Sequence, residues 1–143
     1  MAIRYFSEDR SIPKFLKRRA VTAWLDKLAK AHQKSIAEIN FIFCSDESLL
    51  QVNQEYLSHD YYTDIISFDN SNSDGLRGDI FISLDRVKDN AQQYGVSYEQ
   101  ELYRVICHGV LHFIGYKDKS EEESANMRAE EDKALKMLGL IIN

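Results

Sequence analysis

The sequence predicts an α+β domain in which one mixed sheet packs against helices. Three observations predict it. β-rich runs and helical runs are interleaved in the order β-α-β-α-β-β-α-α-α. The apolar residues between Phe15 and Leu28 follow helical spacing, whereas runs such as 38–44 are short and rich in β-formers. No repeat, low-complexity tract or linker divides the 143 residues, so 1–143 reads as one domain, long enough for a two-layer core.

Each element has its own signal. Residues 2–6 alternate as a short strand. Ser11-Ile-Pro13 opens a helix, with Ser11 as cap and Pro13 in the first turn, where its missing N–H does no harm. Phe15, Val21, Trp24, Leu25 and Leu28 carry that helix to about Ala31. A strand follows at Glu38–Cys44, and Ser45-Asp-Glu-Ser48 caps a short helix running to about Tyr56. Ile65–Phe68 and Gly78–Ser83 are strands joined by the polar turn cluster Asn70–Gly75. Leu84–Gln93 is helical. Ser97 and Gln100 form a capping-box pattern for a helix that runs through Leu102–Ile114 and stops at Gly115. A last helix spans about Glu121–Leu138 and ends at Gly139.

Composition excludes several classes. An apolar fraction of 44% and a charged fraction of 29% are ordinary for a globular protein. No stretch reaches the roughly 20 apolar residues that span a bilayer. The start, Met-Ala-Ile-Arg-Tyr-Phe-Ser-Glu, lacks a signal peptide's apolar region and cleavage site, so a cytoplasmic protein is expected. Cys44 and Cys107 lie in apolar runs and read as small buried hydrophobes. Two cysteines are too few for a Cys-rich zinc site, so a metal must use His and carboxylates. The net charge of −5 argues against nonspecific coating of nucleic acid. Lys14, Lys17, Arg18 and Arg19 nevertheless crowd the early chain, as a phosphate-contacting face or an ordinary solvated one.

The segment His108-Gly-Val-Leu-His112 carries the sharpest chemistry. Helical residues four apart share a face, so both imidazoles can reach one ion. A catalytic zinc-type site needs a third protein ligand and an open position for water. Gly115 lets the chain turn, and Asp118 follows at a distance that folds back toward the pair. On spacing alone, two satisfied core histidines are an equal alternative. Zincin proteases place a glutamate after the first His; Gly109 cannot act as that base.

His108-Gly-Val-Leu-His-Phe-Ile-Gly-Tyr116 closely resembles the signature of the YbeY family of metal-dependent endoribonucleases, His-Gly-x-Leu-His-Leu-x-Gly-Tyr-Asp-His. Asn53-Gln-Glu-Tyr56, Thr63-Asp-Ile-Ile-Ser-Phe68, Gly78-Asp-Ile80 with Ile82-Ser83, and Met127 with Glu131 and Leu135 resemble further family blocks in order and spacing. The resemblance covers roughly residues 38–140. It implies a single domain with about five helices around a four-stranded sheet and a metal site at a helix end. It also implies cleavage of single-stranded RNA in maturation of small-subunit ribosomal RNA, with one divalent ion, Zn2+, as cofactor. RNA precursors and the small ribosomal subunit or its proteins are the implied partners, and no membrane is involved.

Two departures stand out. Asp118 occupies the place of the family's third histidine, after Lys117 in place of an Asp. The carboxylate leaves less net positive charge on the ion, making its water less acidic, and suits harder divalent ions. Leu57 stands where the family carries an arginine in its substrate channel, and an apolar side chain cannot clamp phosphate. His59, Arg77 and Arg104 are the candidate replacements. Arg104 lies one turn before His108 on the ligand face, with a salt bridge to Glu101 or Glu131 as its alternative. Tyr61, Tyr62, Phe68 and Tyr116 are candidate base-stacking residues or simply buried ones; Asp64 and Asp79 read as structural or as orienting groups behind the ligands. The expected mechanism is ion-assisted attack on the phosphodiester, with a basic side chain holding the scissile phosphate. The alternative is a ribosome- or RNA-associated binding factor whose metal is mainly structural.

Overall fold

Alternation of buried and half-buried side chains organises the sheet. The computed structural model describes residues 1–139; residues 140–143 of the expected domain lie outside the described residues. Strands β1 (Ala2–Ser7), β2 (Ile36–Cys44), β3 (Ile65–Asp69) and β4 (Leu76–Ser83) form one sheet in the order β1-β2-β4-β3. β1, β2 and β4 are parallel, and β3 closes the far edge antiparallel to β4. Ile39, Phe41 and Phe43 on β2, with Ile80 and Ile82 on β4, are fully buried on one face.

Four helices contribute to the core on that face: α1 (Arg18–Ala31), α3 (Leu84–Tyr94), α4 (Tyr98–Ile114) and α5 (Glu121–Met137). α2 (Asp46–Leu57) covers the other face, setting Leu49 against Cys44 and Ile66 beside half-buried Phe68 and Phe81. Trp24 Nε1 donates to the Ala134 carbonyl at 2.7 Å and ties α1 to α5. The expected mixed four-stranded sheet with five helices is the observed architecture.

α4 is the hub. It is buried on nearly every side, with His108 and His112 half-buried. Two glycines set how closely it approaches the sheet. A Cβ on Gly109 would lie 2.9 Å from Ile80 Cδ1 and 3.1 Å from Ile65 Cδ1. One on Gly78 would collide with the Phe68 carbonyl and the Phe113 ring. The glycine after His108 is therefore a packing requirement, which holds the two histidines near the start of β3.

The structure corrects some boundaries. α1 begins at Arg18, not at Ser11. Pro13 instead accepts from Leu16 N at 3.1 Å in a turn, which lets Leu16 bury and Ile12 and Phe15 pack on the core before the helix starts. At α4 the Ser97 hydroxyl accepts from Gln100 N, but the reciprocal capping box among the described residues belongs to α5, between Ser120 and Glu123. Cys44 and Cys107 are buried and unpaired, and burial pushes the Cys44 thiol up to about 12.

Candidate metal centre

The positions of His108 and His112 follow from α4 and its end. Their rings lie 4.6 Å apart, nearly perpendicular. Gly115 ends the helix at φ 129°, and its N–H returns to the carbonyls of Leu111 and His112. That turn carries Asp118 back over the helix, where its carbonyl accepts from Ser124 Oγ at 2.9 Å. Asp118 Oδ2 consequently lies 3.2 Å from His108 Nε2 and 3.2 Å from His112 Nε2. Ligand atoms at about 2.1 Å from one tetrahedral ion sit roughly 3.4 Å apart, so the trio fits zinc-type coordination. Among the described residues it is the group of His, Cys, Asp or Glu able to hold an ion, with its donor atoms within 4.8 Å of one another.

The opposite nitrogen of His108 is also engaged. Nδ1 lies 2.6 Å from Glu131 Oε2, which fixes the tautomer that presents Nε2 outward. Glu131 in turn accepts from Arg104 Nη1 at 2.9 Å, and Arg104 Nη2 donates to Asp132 at 2.8 Å. Burial disfavours a charged His108, but Glu131, with Asp118 and Asp64 nearby, outweighs it and raises the pKa. Those carboxylates favour the charged imidazole, so metal binding at Nε2 competes with protonation.

These ligands stand in the wall of a polar cleft of about 390 Å³. Thr63, Asp64 and Ser67 contribute from the β3 side, Glu101 and Arg104 from α4, Arg128 and Glu131 from α5, and Tyr94 from the end of α3. Burial raises the carboxyl pKa of both Asp64 and Glu101. The Asp64 carboxylate accepts from Asn90 Nδ2 at 3.3 Å.

The sequence candidates separate here. His108, His112 and Asp118 converge, and Arg104 reaches the cleft with its guanidinium taken by two carboxylates. His59 and Arg77 do not line it: His59 stacks on Tyr61, and Arg77 pairs with Glu38 at 3.2 Å. Asp79 accepts from Asn40 Nδ2, a contact within the sheet. Phe68 packs between Tyr56 and Phe81, Tyr116 lies against His32, and Tyr62 donates to Glu47 under Arg86. None of these aromatics lines the cleft. Glu131 as partner of His108, and Arg128 and Tyr94 as cleft residues, were not among the candidates. A carboxylate on the buried stripe Met127–Glu131–Ala134–Leu135 was the available signal for Glu131.

A family model described as Endoribonuclease YbeY matches residues 2–139. The chain belongs to the YbeY family. Curated relatives called Endoribonuclease YbeY include a Cytophaga hutchinsonii protein, 53% identical over 137 residues and covering 94% of each chain. Another, from Porphyromonas gingivalis, is 48% identical over 136 residues, 95% of this chain and 89% of the relative. The fold is similar to a Thermotoga maritima protein solved in solution, with a TM-score of 0.70 at 24% identity over 95% of this chain and 88% of that one. Asp118 is one of three donors that could hold an ion, and Leu57 ends α2 half in solvent, away from the cleft lining.

Proposed function

We propose that this chain cleaves single-stranded RNA at the His108–His112–Asp118 centre, in maturation of the small-subunit ribosomal RNA. Family membership makes it an endoribonuclease. The convergence of three donors on one point in the wall of a polar cleft carries the assignment to these residues. A divalent ion, Zn2+ in this reading, supplies Lewis acidity toward the phosphodiester and acidifies the attacking water when bound.

The protein's own residues do the rest. Glu131 holds His108 by Nδ1 and keeps Nε2 directed at the centre. Arg104, clamped by Glu131 and Asp132, acts as a positioning residue for that carboxylate. Asp118 brings a negative charge to the donor set, which suits harder divalent ions than an all-imidazole set does. Small-subunit RNA precursors, and the subunit's own proteins, are the proposed partners in the cytoplasm. No helix of the described residues is long and apolar enough to cross a membrane.

A second reading, an RNA-associated binding factor with a mainly structural metal, is favoured by Leu57, which supplies no phosphate clamp. One comparison separates the two. Metal-loaded protein should cut a single-stranded ribosomal RNA fragment and spare its duplex, and His112→Ala should abolish the cutting. Tight RNA binding with no cleavage by the metal-loaded protein would select the binding factor.

A further inference from the structure

Four carboxyl groups face the cleft, from Asp64, Glu101, Asp118 and Glu131. A polyanionic strand entering it needs cationic guidance beyond the ion itself. Arg104 cannot provide that, because Glu131 and Asp132 take both ends of its guanidinium. Arg128, one turn before Asp132 on α5, also lines the cleft. It is exposed, and among the described residues it makes no salt bridge or side-chain hydrogen bond, so its donors remain available. Tyr94, the last residue of α3, lines the same cleft. It is 58% exposed and, unlike the exposed Tyr56 and Tyr61, is packed on no other aromatic of the described residues.

We infer that Arg128 and Tyr94 form the substrate clamp of this chain, Arg128 on a phosphate and Tyr94 on an unstacked base of single-stranded RNA. The inference deepens the nuclease reading and rests on it for the identity of the ligand. A guanidinium holds phosphate in a fork of parallel hydrogen bonds, and a phenol ring stacks any base face. A free base face is available in a single strand and absent from a duplex, so the pair also supplies a preference for single strands. Arg128 provides the cation that position 57 does not.

The test uses a short single-stranded 2′-O-methyl RNA, with binding followed by fluorescence anisotropy at several salt concentrations. Each variant is first shown to retain its metal and its thermal midpoint. Arg128→Ala should lower the slope of log K against log salt by about 0.7, the loss of one phosphate contact on a single strand. Arg128→Lys should keep the slope. Tyr94→Ala should weaken binding roughly 5- to 150-fold with the slope unchanged, and Tyr94→Phe should bind as the parent does. Lys136→Ala, further along α5 and outside the cleft lining, is the control. Cleavage assays on the same proteins separate the two claims. If the parent does not cut RNA yet these binding effects appear, the clamp stands and the nuclease reading falls. If the parent cuts RNA while Arg128→Ala and Tyr94→Ala keep parental affinity, slope and KM, the clamp is overturned and the nuclease reading stands.

Discussion

Carboxylates gather at two places in this molecule, and their hydrogen bonding separates scaffold from site. Beyond the C-terminal ends of β1, β2 and β4, Asp9, Asp46 and Asp85 are each saturated by donors of the chain. Asp9 accepts from Ser45 N, Ser45 Oγ and Ser48 Oγ; Asp46 from Ser83 Oγ and Arg86; Asp85 from Arg10 and Asp46 N. At the His108 centre, one Asp118 oxygen faces two imidazole nitrogens at once. A neutral imidazole carries one proton, and His108 directs its Nδ1 side to Glu131. In its neutral form His108 Nε2 and the Asp118 oxygen are thus two acceptors facing each other, an arrangement that an added cation completes. Acid clusters alone are thus poor evidence for a metal; a shortage of donors is better evidence.

The largest effect should come from breaking the open cluster. His108→Ala and His112→Ala should each strip the ion and reduce RNA cleavage on the order of 10³-fold or more, because several kcal/mol of charge stabilisation go with it. Neither should unfold the chain, since both rings are half-buried rather than core. Elemental analysis paired with a thermal melt checks this; full metal content in both variants would rule the centre out.

Next is the link behind the ligands. Glu131→Ala leaves buried Arg104 with Asp132 as its remaining anionic partner, and should cost about 3 kcal/mol in urea unfolding. Glu131→Gln preserves the shape and should cost less stability, while metal affinity falls about 10- to 100-fold. Equal metal affinity in Glu131→Gln and the parent would reduce Glu131 to a structural ion-pair partner of Arg104. A smaller change is expected of Asp118→His, which restores the family's donor type. Zinc should then be favoured over manganese in competition more strongly than in the parent, because imidazole suits zinc and carboxylate suits the harder ion.

The sequence made the fold legible where a local signal and the tertiary need agreed. Gly115 ends α4 as a helix stop should, and the alternation along β2 and β4 matches their buried faces. It misled at Ser11-Ile-Pro13, where a good helix start lost to the burial of Leu16 and the packing of Phe15. At the centre, His108 and His112 were readable because helical spacing is local, and Asp118 because a single turn returns it. Arg128 and Tyr94 were not, because nothing local records that the end of α3 and the middle of α5 line one cleft with α4. His59 and Arg77 stand near the motifs in the chain but outside the cleft lining, because chain proximity does not measure distance in space.

The smallest effect should come from the saturated cluster, and there pH provides the signature. The hydrogen bond from Ser45, the largest influence, helps lower the Asp9 carboxyl from 3.8 to about 2. A group depressed on folding stabilises the fold above its unfolded pKa and loses that contribution as pH falls through its folded value. Asp9→Asn should therefore be less stable than the parent near neutrality by about 1 kcal/mol, the scale of a lost helix-start hydrogen bond. The gap should persist down to about pH 4 and close toward pH 2, where the parent's own carboxyl takes up its proton. Urea midpoints for both proteins at several pH values test it. A gap that stays constant to pH 2 would mean that Asp9 acts through shape, not charge. Metal content should be unchanged throughout at neutral pH, because Asp9 holds the start of α2 and is not one of the donors at the His108 centre.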